Sequence, residues 1–448
     1  MNLKDWLKPG LKIKRWVFLG LIGMILVGIG VHPMMGKILG EGIDVYYYPI
    51  LFIIGMMLIG IAGQKGLLSI LILMDTPKGE TRYRNRFDEK LYKKRVLNKG
   101  PKVVTIGGGT GLSVLLRGLK NFTSNITAIV TVADDGGGSG ILREDLGMLP
   151  PGDIRNCILA LADTEPLMEQ LLQYRFEEGS LKGQSFGNLL IAAMDGISNN
   201  FEEAIQKINR VLAVTGQVLP VTTEDVTLYA KLKNGKVVKG ESQIPMKVKE
   251  FDSEIDQVFI KPDRVKPLPE AIEAIHEADI IILGPGSLYT SVIPNLLVPA
   301  IAEALKKSSA VKIYVSNVMT QPGETDGYGV WKHIEAMIHH LKYQVIDYVF
   351  VNNEEIPKAV LERYVKDGAE PIKLTQKERS LLLRNGIQVI EGSFIDIKKQ
   401  YIRHDAYQLS ALIMKLITEE KYAMDKKRIW DYSFVSDKIK NMEKIDSQ

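Results

Sequence analysis

An α/β fold built on a doubly wound parallel sheet is what this sequence predicts for most of its 448 residues, on three observations. Short runs of apolar and β-branched residues, at 103 to 106, 126 to 132 and 280 to 283, read as strands covered on both faces. Each run leads into a glycine-bearing polar loop, the feature that such sheets place at the C-terminal ends of their strands. Between the runs the apolar spacing turns helical, as at Leu112, Leu115, Leu116 and Leu119, which share one helix face.

The first 100 residues have a different texture. Residues 16 to 31 carry no charge, and Met34 and Met35 extend that run past Pro33. Residues 45 to 63 form a second uncharged run, opened by Tyr46, Tyr47 and Tyr48 where an aromatic belt would sit. Both runs are near the length needed to span a bilayer. Lys4, Lys8, Lys12, Lys14 and Arg15 precede the first, and Lys78, Arg82, Arg84, Arg86, Lys90, Lys93, Lys94 and Arg95 follow the second. The loop between them has only Lys37 against Glu41 and Asp44.

Positive charge on both flanks and not between them predicts a two-helix transmembrane hairpin over residues 1–75, with spans at about 16–35 and 45–63. Both termini and the main domain would then face the cytoplasm, with the chain a multi-pass protein of the cell membrane. No small-residue cleavage site follows the first run, which argues against a signal peptide. A soluble helical hairpin is the plain alternative. Residues 76–100 read as a basic juxtamembrane connector, residues 101–420 as the α/β domain, and residues 421–448 as a charged tail.

Charge is divided unevenly. Residues 1 to 100 hold 16 Lys+Arg against 7 Asp+Glu, a net +9, and the other 348 residues hold 41 against 46, a net −5. A net-negative main domain implies no basic face, so nucleic acid is not an expected partner. The single Cys157 rules out an internal disulfide framework and a cysteine-based zinc site, and it reads as a packing residue.

Within the α/β domain, Gly107-Gly108-Gly109-Thr110-Gly111 joins the first strand to a helix. Such a loop lets a ligand approach the backbone, and the helix start offers free N–H groups, so a phosphate fits there. The loop matches neither a Walker-type phosphate loop nor a full G-x-G-x-x-G, and a tight structural turn is the other reading. The strand at 126 to 132 delivers Asp134 and Asp135, followed by Gly136, Gly137 and Gly138. Those carboxylates could hold Mg²⁺, a ribose or a nucleophile, or one could simply cap the next helix.

Further on, Asp153 is placed to cap a helix through Leu161, and Arg155 could reach a phosphate or pair with Asp153. Asn188 stands at the start of a helix from Leu189 to Met194, where it could meet a ligand or act as a cap. Residues 199 to 215 read as an amphipathic helix. Asn234-Gly235 marks a β-hairpin insertion over residues 226 to 239, and a polar, proline-bearing stretch runs on to Pro269. A third glycine loop, Gly284-Pro285-Gly286-Ser287, follows the strand at 280 to 283, with Ser287, Thr290 and Ser291 as donors to a phosphate or as caps. A strand at 311 to 315 then leads to a polar loop holding Asn317 at the same sheet edge. The helix at 331 to 341 carries His339 and His340, most simply surface residues.

Five of these motifs, in this order, resemble the bacterial gluconeogenesis factor family: the loop 107 to 111, Asp134-Asp135-Gly136-Gly137-Gly138-Ser139-Gly140, Pro150-Pro151-Gly152-Asp153-Ile154-Arg155, Phe186-Gly187-Asn188-Leu189-Leu190, and Gly284-Pro285-Gly286-Ser287-Leu288. The resemblance implies a Rossmann-like domain similar to the Mg²⁺-dependent phospholactate transferase of deazaflavin-coenzyme synthesis. It further implies a regulator of cell shape and envelope synthesis during growth on non-glycolytic carbon, which binds UDP-sugars such as UDP-N-acetylglucosamine.

Carried over residue by residue, the resemblance has loop 107 to 111 hold diphosphate and makes Asp134 and Asp135 the pair that serves acceptor or metal in the transferase. The chain departs from the transferase at Pro151-Gly152-Asp153-Ile154-Arg155-Asn156, where Asp-Leu-Asp-Thr is expected. The expected ligand set is therefore Gly107, Gly108, Gly109, Thr110, Gly111, Asp134, Asp135, Gly136, Gly137, Arg155, Asn188, Gly284, Gly286, Ser287 and Asn317. Asp134 and Asp135 would be metal ligands only in a transferase. The expected partners are a nucleotide-sugar, a cytoplasmic enzyme of amino-sugar or cell-wall synthesis, the membrane and a second copy of the chain. A regulatory binding protein is the leading expectation, and an Mg²⁺-dependent transferase of phosphorus-containing groups the competing one. A nicotinamide-dependent dehydrogenase is disfavoured, because no acidic residue stands about 20 positions beyond a proper dinucleotide loop.

Overall fold

A computed structural model describes residues 13–38, 47–74, 97–163, 165–398 and 401–422. The chain divides into two compact units, Met1–Val96 and Leu97–Gln448. Most of the connector expected at 76–100 and of the tail expected at 421–448 lies outside the described residues.

In the first unit, helices Ile13–Ile38 and Tyr47–Met74 pack against each other. Their contact is made by glycine backbone. A methyl group on Gly23 would come within 2.9 Å of Gly55 O, and one on Gly55 within 2.7 Å of Gly23 O. Small residues let the two helices approach closely, while large apolar side chains point away from the contact: Phe18 is 65% exposed and Met57 67%. The window Tyr48–Lys65 is long and apolar enough to cross a membrane, and Trp16–Val31 is a shorter apolar helix.

The second unit is built on a seven-stranded parallel sheet. Its strands are β1 (Val103–Gly107), β2 (Ile126–Val130), β3 (Gln217–Pro220), β7 (Ile280–Leu283), β8 (Val311–Val315), β9 (Tyr348–Asn352) and β10 (Gln388–Gly392). Their spatial order is β10-β9-β8-β7-β1-β2-β3. β1 is central: Val104 stands between Thr127 of β2 and Ile281 of β7. Every residue of β1, β2 and β7 is buried, which accounts for the unbroken apolar runs that announce them. The chain builds outward from β1 through β2 to β3, then returns to β1's other side with β7, so the order reverses between β1 and β7. A doubly wound sheet opens a crevice at such a reversal.

The predicted hairpin is part of a larger insertion. Strands β4 (Thr227–Leu232) and β5 (Val237–Lys239) pair antiparallel as expected, but β6 (Ile255–Lys261) adds to the other side of β4. The polar stretch up to Pro269 thus holds a helix, Ile244–Glu250, and this third strand, whose Val258 and Ile260 are buried. His340 also departs from expectation. It is packed beside β6, where its Nε2 accepts from the Val258 N–H (2.9 Å) while Nδ1 pairs with Ala336 O (2.7 Å). A neutral ring meets both bonds, capping an edge-strand donor that would otherwise be orphaned.

A second hairpin, β11 (Ile395–Lys398) and β12 (Tyr401–His404), precedes helix Ala406–Tyr422. That helix lies on helix Gly109–Leu119, whose Gly118 has no room for a side chain because Ala406 O occupies the space.

Candidate functional site

Two of the three glycine-bearing loops, those after β1 and β7, meet at the reversal of the sheet. β1 ends in Gly107, and the chain turns at Gly108 and Gly109 into helix Gly109–Leu119, which has no side-chain cap. Gly109 adopts φ 68°, a left-handed conformation that favours glycine. A methyl group on Gly111 would lie 2.7 Å from Pro285 O, so the loops after β1 and β7 touch backbone to backbone. Asn317, after β8, fastens the second loop: its Oδ1 accepts from Gly286 N–H (3.3 Å) and its Nδ2 donates to Gly286 O (2.9 Å). Asn295 Nδ2 donates to Gly107 O (3.1 Å) and Ser291 O (2.8 Å), tying both loops from beneath.

These loops enclose one side of a cavity of about 400 Å³ at the C-terminal edge of the sheet. Gly108, Gly109, Thr110, Gly111, Gly286 and Ser287 line that side. The lining also includes the apolar side chains of Val318, Met319, Tyr364 and Ile402, with exposed Arg403 and buried His404 of β12. A helix start and an arginine suit an anion, and apolar side chains suit a flat or ring-shaped group. A cavity of similar size, 410 Å³, at the other edge of the sheet among Lys102, Asn125, Glu270, Glu273 and Glu277 contains none of the glycine loops.

Carboxyl groups crowd behind the first loop. Asp153 sits directly against Gly108, where a methyl group would collide with its Oδ2, and it accepts from the Gly109 N–H. Burial, and then Asp134, push its carboxyl up to about 7. Burial, and then Asp134 and Asp153, raise the Glu241 carboxyl well above the usual carboxylate range, and its side chain hydrogen-bonds Asp134. Glu324, also buried, rises to about 7 and accepts from Thr290 Oγ1 at 3.4 Å.

The expected site residues therefore fall into two groups. Gly108, Gly109, Thr110, Gly111, Gly286, Ser287 and Asn317 line the cavity, and Gly107 and Gly284 form its backbone support. Asp134, Asp135, Gly136, Gly137, Arg155 and Asn188 lie outside the cavity lining. Asp134 Oδ1 accepts from Gly136 N–H (2.9 Å), and Asp135 Oδ1 from Ser242 N–H (2.9 Å). Arg155 does not pair with Asp153; it donates to Ser185 Oγ, to Asn188 Oδ1 (2.8 Å) and to Asn156 Oδ1 (3.0 Å). The cap of helix Phe186–Gly196 is Ser185, with Asn188 supplying the N–H it accepts, and helix Gly152–Leu161 starts without any side-chain cap.

Mg²⁺, implied by the transferase resemblance, finds no dedicated cage: among the described residues no group of three or more His, Cys, Asp or Glu side chains is placed to hold a metal ion. One oxygen of each candidate carboxylate is already taken by backbone N–H.

Comparison with known proteins places the chain. Residues 103–395 match the family described as 2-phospho-L-lactate transferase CofD. The Bacillus subtilis gluconeogenesis factor is 47% identical over 72% of this chain and 100% of its own length. The chain belongs to the gluconeogenesis factor family. A Clostridium acetobutylicum member, which bears that name provisionally, is 50% identical over 100% of this chain and 99% of itself. A crystal structure of a UPF0052 family protein from Bacillus halodurans, 48% identical, superimposes with a TM-score of 0.66 over 69% of this chain and 97% of that one. The α/β unit of the family thus occurs both with and without additional residues like the N-terminal 100 of this chain.

Sequence reasoning missed Val318, Met319, Gln321, Tyr364, Ile402, Arg403 and His404. The last three lie on β12, a hairpin strand more than 80 residues beyond the nearest motif, and no local pattern assigns them to the β1–β7 crevice. Only the polar loop after β8 pointed to Gln321 and its neighbours.

Proposed function

We propose that this chain is a membrane-tethered sensor of a nucleotide-sugar, with UDP-N-acetylglucosamine the leading ligand, that regulates cell-wall precursor synthesis and cell shape through a cytoplasmic enzyme partner. The observation that carries the reading is the cavity at the sheet reversal. Its glycine loops let a ligand approach the backbone closely at the start of helix Gly109–Leu119, which suits a diphosphate, and its apolar lining suits a base or sugar ring. Arg403 adds the positive charge that a diphosphate requires. The choice of uridine and of the amino-sugar follows the family resemblance. The apolar outer surface of the glycine-packed hairpin supports the tether, and the basic flanks support a cytoplasmic main domain.

The test is calorimetric titration of the full chain in detergent with UDP-N-acetylglucosamine, GDP and NADPH, with and without Mg²⁺, followed by recovery of the ligand. Selective binding of the UDP-sugar, recovered intact, is the expected result. One observation favours a transferase instead: Asp153, poised near neutrality beside the glycine loop, could exchange a proton with a bound acceptor. Under that reading the donor nucleotide is consumed, and Asp153→Asn abolishes its consumption. Preference for guanine nucleotide, or turnover, would overturn the sensor.

A further inference from the structure

Helix Phe186–Gly196 has the composition of a core helix and the position of a surface one. It carries no charge before Asp195, yet only Gly187, Asn188 and Ile191 are buried. The next helix, Phe201–Val211, shows the ordinary division: Phe201, Ala204, Ile205 and Ile208 are buried, and Glu202, Glu203, Lys207 and Arg210 are not. A helix that is apolar on every side belongs in a core, so the free side of Phe186–Gly196 requires a cover.

Helix Pro166–Gln173 repeats the pattern. Leu172 is its one buried residue, while Leu167, at 75%, Met168 and Leu171 are exposed. The two helices touch, because a methyl group on Gly187 would lie 2.5 Å from Leu172 O. Between them, exposed Tyr174 meets Phe176 edge to face at 5.2 Å, and its carbonyl accepts from the Phe186 N–H at 2.9 Å. Leu167, Met168, Leu171, Tyr174, Leu181 and Ile197 leave on the order of 600 Å² in water, the upper end of what one apolar patch on a monomer shows. Leu189, Leu190 and Met194, only partly buried, extend this toward the roughly 800 Å² that each partner gives to a stable interface.

The charges beside the apolar residues say what kind of surface fits. Arg175, Glu177, Glu178 and Lys182 lie on the loop that joins the two helices, all exposed, and among the described residues none of them has an ion-pair partner. A rim of one sign would repel a copy of itself, whereas two cations and two carboxylates can pair across a two-fold axis. A face that is always open also needs a cover that is present whenever the chain is. A second copy meets that condition.

We infer that the face formed by helices Pro166–Gln173 and Phe186–Gly196 and the loop between them is the interface of a two-fold dimer of this chain. Leu167, Leu171 and Tyr174 supply its apolar centre, and the loop charges supply its polar rim.

The test is sedimentation equilibrium of the full chain in density-matched detergent, compared with Leu171→Lys and with Leu383→Lys, an exposed position on helix Gln376–Arg384. The wild type and Leu383→Lys should both sediment at twice the chain mass, and Leu171→Lys should raise the dissociation constant at least tenfold. A second measurement does not depend on a charged substitution. Leu167→Cys adds a thiol to a chain whose own Cys157 is buried, so maleimide labelling reports that position. Labelling should slow at least tenfold as protein concentration rises through the dissociation constant. A monomeric wild type would overturn the inference and leave the face to a different protein. A dimer that Leu171→Lys does not weaken, or labelling indifferent to concentration, would also overturn it, placing the contact between copies elsewhere, the N-terminal hairpin included.

Discussion

Asp153, Glu241 and Glu324 are carboxyl groups that hold protons where an exposed carboxyl would not, and this ties the stability of the α/β unit to pH. Their folded-state values, about 7, 9 and 7, lie above the unfolded ones. Between about pH 4 and those values the native state binds more protons than the unfolded chain, so stability falls as pH rises. His340 and His404 act in the opposite sense. Burial holds both down to about 4, so their contribution is complete above pH 6.5 and is lost as pH falls toward 4. The two sets oppose each other between pH 4 and 6.5, and above that only the carboxyls act. Melting temperature should therefore fall only gently up to about pH 6.5, where three carboxyls act against two histidines, and more steeply from there toward pH 9. Glu324→Gln keeps the size and removes one titration, so it should raise stability at pH 8 by roughly 1–3 kcal/mol and flatten the decline. A variant as pH-sensitive as the parent would show that Glu324 is ionised in the native state.

The same scale sets the tolerance of the glycine loop. Alanine at Gly108 would drive a methyl group into Asp153 Oδ2 and Thr131 Cγ2, and the carboxyl cannot retreat without giving up the Gly109 N–H. Gly108→Ala should cut nucleotide affinity by at least tenfold in calorimetry. Gly137→Ala, in open space outside the cavity lining but at φ 49°, should change stability more than binding.

At the level of elements, the contact that secures the binding helix is the crossing of Gly109–Leu119 and Ala406–Tyr422. Ala406 O rests where a Gly118 side chain would be, so Gly118→Ala must push the two helices apart. The expected cost is about 2–4 kcal/mol, in the range of other overpacking and core lesions, read as a lower midpoint in urea with an unchanged slope. Ser185→Ala is milder in kind but touches two groups. It removes the cap of helix Phe186–Gly196 and one acceptor of Arg155, for about 1–2 kcal/mol.

These elements also mark how far the sequence could be read. β1, β2 and β7 are legible because burial on both faces leaves a continuous apolar run, and the glycine loops are legible because close backbone approach admits little else. β6 was hidden because Asp256, Gln257 and Lys261 interrupt its apolar residues, which makes a half-buried strand look like a polar connector. His340 resembled a surface residue because the N–H it caps belongs to β6, 82 residues away. Arg155 and Asn188, each expected near a ligand, hydrogen-bond each other, a contact that no local pattern foretells. The β12 wall is a purely tertiary feature.

For the whole molecule, the surface of the N-terminal hairpin sets the relation between the chain and its surroundings. A helical hairpin folded in water hides its large apolar side chains between the helices. Ile13–Ile38 and Tyr47–Met74 do the reverse, with Gly23, Gly30 and Gly55 at the contact and Phe18, Ile25, Ile53 and Met57 outside. Burying such a surface favours lipid by about 25 cal/mol per Å² of apolar area, while close glycine contacts supply the packing that lipid tails cannot. The full chain should then sediment with membranes and resist alkaline extraction, whereas a chain starting at Leu97 should stay in the supernatant and keep its nucleotide affinity. Gly55→Leu separates insertion from packing. It should leave the chain in the membrane but disturb the hairpin, seen as easier proteolysis near residues 39–46. A full-length chain released by alkali would mean that this apolar surface is covered by protein, and a second copy of the hairpin would be the first partner to seek by cross-linking.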